Sequence, residues 1–194
     1  LFLNLCSQNI MPFLNVKINF RIYFQRQYCH NFQQEVSRMK KKTKTLLICL
    51  AIPISVGAVS GWLTRNSMDT FKLLDKPPLA PPGWVFPVAW TILYVLMGIA
   101  SYLVCTAKQS ECRRDGLIVY AAQLAVNFFW PLFFFLGQWY FFSFVWLVLL
   151  WFLVLVTIRF FYAVNKNAGY LLIPYLAWVT FAGYLNFFIS IMNP

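Results

Sequence analysis

KPPLAPPGWVFPVAWTILYVLMGIASYLV, residues 76–104, is the stretch on which the fold turns. Its first part cannot be regular structure. Pro77, Pro78, Pro81 and Pro82 each fix φ and lack an N–H donor, so Lys76 to Gly83 is expected to form a stiff, extended loop. Its second part, Trp84 to Val104, carries no charged residue and matches the ~20 residues a helix needs to cross a hydrocarbon core at ~1.5 Å rise per residue. Pro87 falls in the first turn, where proline is tolerated, and Trp84 sits where an indole meets lipid headgroups. The loop therefore lies over one end of a membrane-spanning helix. On that helix Trp90, Tyr94, Met97 and Ser101 recur at spacings of four, three and four, which places them on one face.

The composition extends this reading to the whole chain. Of the 194 residues, 61% are hydrophobic, 20% aromatic and only 11% charged, far from the ~45–50% apolar and ~25% charged of soluble domains. An all-α integral membrane protein is expected, a single bundle of five spans at about 45–63, 84–105, 116–136, 139–162 and 168–192. In span one, Pro53 predicts a kink, and Gly57, Ala58, Ser60 and Gly61 predict a small face for close packing. A charged loop holding Lys108, Glu111, Arg113, Arg114 and Asp115 separates spans two and three. Span three places Tyr120, Gln123, Asn127 and Trp130 on one face, with Pro131 directly after. Span four, rich in Leu, Val, Phe and Trp with no polar stripe, has the composition of a helix facing lipid or a second subunit. Span five carries Tyr175, Trp178, Ala182, Leu185 and Asn186, with Pro174 in its early turns. The short connection between spans three and four makes them antiparallel neighbours.

The formal charge of +11 does not point to nucleic acid. Half of the 16 basic residues lie before Thr45, the rest flank apolar spans, and no basic helix or recognised binding module accompanies them. Residues 1–38 differ in character from the rest of the chain, and Gln34-Glu35-Val36 can be encoded CAG GAG GTN, which contains the ribosome-binding sequence AGGAGG shortly before the Met39 codon. Residues 1–38 are therefore expected to be a disordered, translated leader ahead of a bacterial membrane protein that starts at Met39; a native basic amphipathic arm is the alternative. Counting from Met39, an inside N terminus puts nine Lys and Arg on the cytoplasmic side and only Arg65, Lys72 and Lys76 outside. This predicts an N-in, C-out orientation in the cytoplasmic membrane.

The chemistry within the spans is neutral. No Asp or Glu lies in any expected span, the only histidine is His30, and the five cysteines show no metal-binding spacing. Proton-coupled pumping, haem ligation by histidine, hydrolysis and metal sites thus have no residues to use. What the spans offer is Trp90 and Tyr94, then Gln123, Asn127 and Trp130, then Tyr175, Trp178 and Asn186. Such faces fit a cavity for a flat, largely apolar ligand, with stacking walls and a few orienting amides and hydroxyls. They equally fit helices tied together by polar contacts with tryptophans packed between them.

Three motifs in order, the 76–104 stretch, QLAVNFFWPLFF from Gln123 to Phe134 and LLIPYLAWVTFAGYLNFFI from Leu171 to Ile189, resemble the TspO/MBR family of tryptophan-rich sensory proteins and translocator proteins. The resemblance covers about Leu46 to Asn193. It implies a five-helix membrane fold, commonly a homodimer, in which a proline-rich first loop caps a pocket for porphyrins and other tetrapyrroles, in some members sterols or benzodiazepine-type drugs. No obligatory cofactor is implied, with porphyrin acting as ligand. By motif position Trp90 and Trp178 match two tryptophans implicated in light- and oxygen-dependent breakdown of protoporphyrin IX, and Asn127, Trp130, Ala182, Leu185 and Asn186 match pocket-lining positions. Two departures matter. Phe71 and Leu79 stand where the loop often carries Trp, so the lid offers less ring area. Phe187 replaces the tyrosine of the C-terminal sterol motif with no Lys or Arg after it, so cholesterol recognition is not expected. Three functions are consistent with these residues: a porphyrin-binding sensor or trafficking protein, a porphyrin-degrading enzyme using Trp90 and Trp178, and a passive structural subunit.

Overall fold

The computed structural model describes residues 34–67 and 73–193, and the expected leader at residues 1–33 lies outside them. The chain divides into two compact units, Leu1–Lys44 and Thr45–Pro194. In the first, the described residues 34–44 are helical. Residues 34–38 are thus helix rather than the disorder expected of them, and the Arg38–Lys44 run is a basic helix. Gln, Glu, Arg and Lys have high helix propensity, which suits these residues to a helix.

The second unit is the bundle. Among the described residues, five helices are long and apolar enough to cross a membrane: α1 (Gln34–Ser67), α2 (Val85–Cys105), α3 (Glu111–Leu136), α4 (Tyr140–Val164) and α5 (Lys166–Met192). Several begin earlier than hydropathy alone places them, because capping rather than apolarity sets a helix start. Ser110 accepts a hydrogen bond from the Arg113 N–H at 3.2 Å and so caps α3, which turns most of the expected charged loop into the first helical turn. Asn165 does the same for α5, accepting from the N–H groups of Asn167 at 3.0 Å and Ala168 at 3.4 Å.

Three prolines shape the helices differently. Pro53 sits inside α1, which continues helical through it. Pro131 lies within α3 and has no N–H to continue the ladder. The next five residues, Leu132–Leu136, widen into a π-turn closed by Gly137 N–H to the Leu132 carbonyl at 2.9 Å. The turn into α4 then uses Gln138 at φ 52°, in the left-handed region that a side chain tolerates only in tight turns. Pro174 accounts for the one-residue break in α5 at Leu172.

The proline loop is not extended throughout. It folds into two reverse turns, closed by Ala80 N–H to the Pro77 carbonyl and Val85 N–H to the Pro82 carbonyl, each 3.0 Å. Pro78 occupies the position of the first turn that favours proline. The Asn193 side chain clasps the loop from the far end of α5, accepting from the Asp75 N–H at 3.1 Å and donating to the Asp75 carbonyl at 3.0 Å.

The core is built by the faces the periodicity predicts. Met97, Ala100 and Val104 of α2 pack with Tyr120, Leu124 and Trp130 of α3 and with Tyr175, Val179 and Ala182 of α5. Span four, expected to face lipid or a second subunit, carries such a face and also a buried one. Ser143, Leu147, Leu150, Val154, Thr157 and Phe161 form a buried stripe along α4, and α4 packs against both α3 and α5. Its other side, including Phe141, Val145 and Phe152, remains exposed. Apolar residues cover every side of α4, and only the widely spaced hydroxyls of Ser143 and Thr157 mark the inward one.

Helices α1 and α2 meet backbone to backbone at Gly98. A Cβ there would lie 2.7 Å from Leu50 Cδ2, 2.9 Å from Leu50 Cα and 3.0 Å from the Cys49 carbonyl oxygen. At Gly183 a Cβ would meet only Leu147 Cδ2, at 3.7 Å. Gly98→Ala is therefore expected to destabilise the bundle by about 1–3 kcal/mol, as overpacking against backbone does, whereas Gly183→Ala leaves stability unchanged or slightly raised. Thermal unfolding of both variants in the same detergent checks this; equal melting temperatures would contradict the contact.

Candidate ligand-binding cavity

Between α1, α2 and α3 lies a cavity of about 490 Å³, within the ~300–1,000 Å³ range of small-molecule sites. Helix α1 contributes Ile54, Gly57, Ala58, Ser60, Gly61, Thr64 and Arg65; α2 contributes Phe86, Pro87, Trp90, Thr91 and Tyr94; α3 contributes Asn127, Trp130, Pro131 and Phe135. From Ile54 to Arg65 the lining runs about 16 Å along α1 at ~1.5 Å per residue.

The small residues of α1 create this space. At Gly57 the helix presses directly on the Tyr94 ring, so that an added Cβ would collide with it. One turn on, nothing lies within 4 Å of where a Gly61 Cβ would stand. The small face, expected to serve close packing, does so at Gly57. Around Gly61 it leaves a void.

The inner wall is aromatic. Trp90 stacks on Tyr94 with ring centroids 5.6 Å apart and 28° between planes, lies 6.4 Å from Trp130, and meets Tyr175 edge-on at 6.1 Å. Behind this wall runs a chain of buried hydrogen bonds. Tyr94 OH donates to Asn127 Oδ1 at 3.0 Å, Asn127 Nδ2 donates to Tyr175 OH at 2.7 Å, and Tyr175 OH donates to Gln123 Oε1 at 2.9 Å. Gln123 Nε2 ends the chain on Met97 Sδ at 3.8 Å. Gln123 and Tyr175 are 1% exposed and touch no ligand space; they hold the wall in place.

The remaining expected residues lie elsewhere. Ala182, Leu185 and Asn186 line a second, much smaller cavity of about 20 Å³ together with Ala80, Phe86, Trp130, Phe134, Phe135 and Ile189. Asn186, in the amide orientation that satisfies both neighbours, donates to the Tyr140 carbonyl at 2.9 Å and accepts from Trp130 Nε1 at 3.0 Å. Trp178 lines neither cavity. Its ring meets Phe86 edge-on at 6.0 Å, and its buried indole N–H makes no hydrogen bond among the described residues. Phe86, Trp130 and Phe135 border both cavities and so form the partition between them. Of the lid positions, Phe71 lies outside the described residues and Leu79 is exposed. Among the described loop residues, Ala80 reaches a cavity, the smaller one.

The ten expected residues thus separate into Trp90, Tyr94, Asn127 and Trp130 on the large cavity, Gln123 and Tyr175 behind it, and Trp178, Ala182, Leu185 and Asn186 beyond the partition. Sequence reasoning misses the contribution of α1, and of Phe86 and Phe135. Glycine and alanine carry no chemical signal of their own, and a phenylalanine in an apolar span looks like its neighbours.

Because Tyr175 OH is both acceptor and donor, Tyr175→Phe strands Asn127 Nδ2 and Gln123 Oε1 in an apolar interior. A loss of about 1–3 kcal/mol is expected per buried group left without a partner, seen as a lower melting temperature. Tyr94→Phe removes one donor at the chain's end, so its loss is smaller. A Tyr175→Phe protein as stable as the parent would show that the chain carries no weight.

A model of the TspO/MBR family matches residues 49–192. The chain is 39% identical over 159 residues to the tryptophan-rich protein TspO of Chlorobaculum tepidum, spanning 80% of this chain and 100% of that one. It is 36% identical over 143 residues to the tryptophan-rich sensory protein of Cereibacter sphaeroides, spanning 74% and 85%. With the translocator protein of Bos taurus it shares 36% over 140 residues, spanning 70% and 82%. Five membrane-spanning helices and matches running from α1 to the end of α5 together show that the chain belongs to the TspO/MBR family of integral membrane proteins.

Proposed function

We propose that this protein binds a porphyrin-type tetrapyrrole in the cavity between α1, α2 and α3 and acts as a membrane sensor or trafficking protein for it. The observation that carries the reading is the make-up of the lining. A stacked Trp90–Tyr94 pair and the nearby Trp130 ring offer broad π-faces, and Asn127 adds an amide. No Asp, Glu, His, Cys or Lys lies among the described lining residues. Such a site suits a flat apolar molecule held by stacking and burial. Names given to relatives, sensory protein and translocator protein, agree with a binding role.

The enzymatic alternative, light- and oxygen-dependent porphyrin degradation by Trp90 and Trp178, has Trp90 on the wall but Trp178 behind Phe86. Binding is therefore the first reading. We further propose an N-in, C-out orientation in a bacterial cytoplasmic membrane, from the nine-to-three distribution of Lys and Arg, and a homodimer. The exposed Phe141, Val145 and Phe152 face of α4 is surface open to lipid or a second copy.

Gly61→Leu provides a clean test, because the cavity has room for the side chain and a glycine replaced in a helix gains propensity. In nanodiscs, protoporphyrin IX is expected to quench tryptophan fluorescence saturably and shift the Soret band of the parent protein. Gly61→Leu should weaken this by at least about tenfold without lowering the melting temperature. Light-driven bleaching that needs both Trp90 and Trp178 would favour the enzyme, and an absence of saturable binding would leave only the structural-subunit reading.

A further inference from the structure

Two cysteines far apart in sequence meet between α1 and α2. Cys49 of α1 is 7% exposed, Cys105 ends α2 and is half-buried, and both are free thiols. The backbone brings them together. Helices α1 and α2 touch where a Gly98 Cβ would lie 3.0 Å from the Cys49 carbonyl oxygen. Gly98, Ser101 and Cys105 follow at spacings of three and four, so Cys105 stands on the side of α2 that meets α1. Helical side chains lean toward the N-terminus of their own helix, and in an antiparallel pair this tilts Cys49 and Cys105 toward each other. The two side chains are in hydrogen-bond contact. From α3, Arg113 Nη2 donates to the Cys105 carbonyl at 2.8 Å and fixes the end of α2 that carries the thiol. Neither thiol lines the ligand cavity. Of the other cysteines, Cys112 is exposed in the first turn of α3, and Cys6 and Cys29 lie outside the described residues.

We infer that Cys49 and Cys105 form a reversible redox site, which a hydroperoxide oxidises to a disulfide that pins α1 to α2. Cys105, the more accessible sulfur, attacks the terminal peroxide oxygen. The O–O bond breaks, an alcohol leaves with the thiol proton, and Cys105 becomes a sulfenic acid. The Cys49 sulfur then displaces water from it and forms the S–S bond. Overall two thiols give up two electrons and two protons, and the hydroperoxide is reduced to an alcohol and water. In the proposed N-in orientation the pair lies toward the cytoplasmic end of the bundle, where disulfides are transient and redox-sensing rather than structural. The bond restrains α1 about one and a half turns before Ile54, where the cavity lining begins.

The full chain in nanodiscs, treated with stoichiometric cumene hydroperoxide and digested without reduction, is mapped by mass spectrometry. A peptide pair linking Cys49 to Cys105 is expected, absent before treatment and lost again in dithiothreitol. The melting temperature should rise on oxidation, as a cross-link closing a long loop provides, and return on reduction. In Cys49→Ser the reaction stops one step earlier. Dimedone then labels Cys105 as its sulfenic acid, and oxidation no longer moves the melting temperature. Linkage through Cys6, Cys29 or Cys112 instead, or thiol oxidation with no 49–105 peptide, overturns the inference. A 49–105 bond already complete before treatment and resistant to dithiothreitol also overturns it, since that bond would be a structural staple. The map is read on the parent chain and decides the matter even where Cys49→Ser fails to fold. Tetrapyrrole binding plays no part in this readout, so failure of that reading leaves the redox site standing, and the reverse holds as well.

Discussion

A polar side chain inside a membrane bundle has no bulk water to fall back on, so its hydrogen bonds must close within the protein. The chain from Tyr94 through Asn127 and Tyr175 to Gln123 meets that requirement across α2, α3 and α5. Its effect exceeds the energy of its bonds. Helices in a largely apolar medium slide and rotate against one another with little penalty, whereas three groups that must meet within about 3 Å fix rotation and register together. Once Tyr94 is aimed at Asn127, Trp90 one turn earlier on α2 and Trp130 one turn later on α3 are committed to the same side. The aromatic wall of the cavity follows from the polar chain behind it.

That coupling explains why so much of the bundle is readable from the chain alone. Polar and aromatic residues at helical spacing on α2, α3 and α5 stand out against an aliphatic background, and the residues so marked are buried except for Trp90 and Trp178, which are half-buried. The same logic explains where reading fails. On α4 only Ser143 and Thr157 give contrast, so the buried stripe from Ser143 to Phe161 is faint in the sequence. Apolarity places helix starts late where the Ser110 and Asn165 caps decide them. Proline weighed only as a helix breaker predicts an extended loop, although Pro78 also favours the turn it occupies.

The cavity itself is half legible. Its aromatic wall announces itself, but the opposite wall is α1, whose contribution is an absence of side chains. A stripe of Gly57, Ala58 and Gly61 has two physical outcomes, contact or void. Which one results depends on whether the partner helix supplies a ring at that level. Tyr94 fills the notch at Gly57, and no residue fills it at Gly61. One-dimensional spacing does not contain that information, because it depends on how far the partner's side chains reach.

The partition at Phe86 bears on what the site can do. Trp178 and Trp90 lie on opposite sides of it, and the Phe86 ring is held edge-on against Trp178. A macrocycle resting on Trp90 touches one of the two tryptophans that a degradative mechanism would need. Reaching the other requires Phe86 to leave its place, giving up an aromatic contact worth about 0.5–1.5 kcal/mol and joining two spaces now separate. Electron transfer between ring systems weakens with every intervening layer, so this arrangement supports the proposed binding function over the degradative alternative. The buried, unbonded N–H of Trp178 is then the group with most to gain from such a movement, since an acceptor brought past Phe86 would satisfy it. Under the proposed binding function, the observed place of Phe86, between the large cavity and Trp178, favours holding a ligand over transforming it.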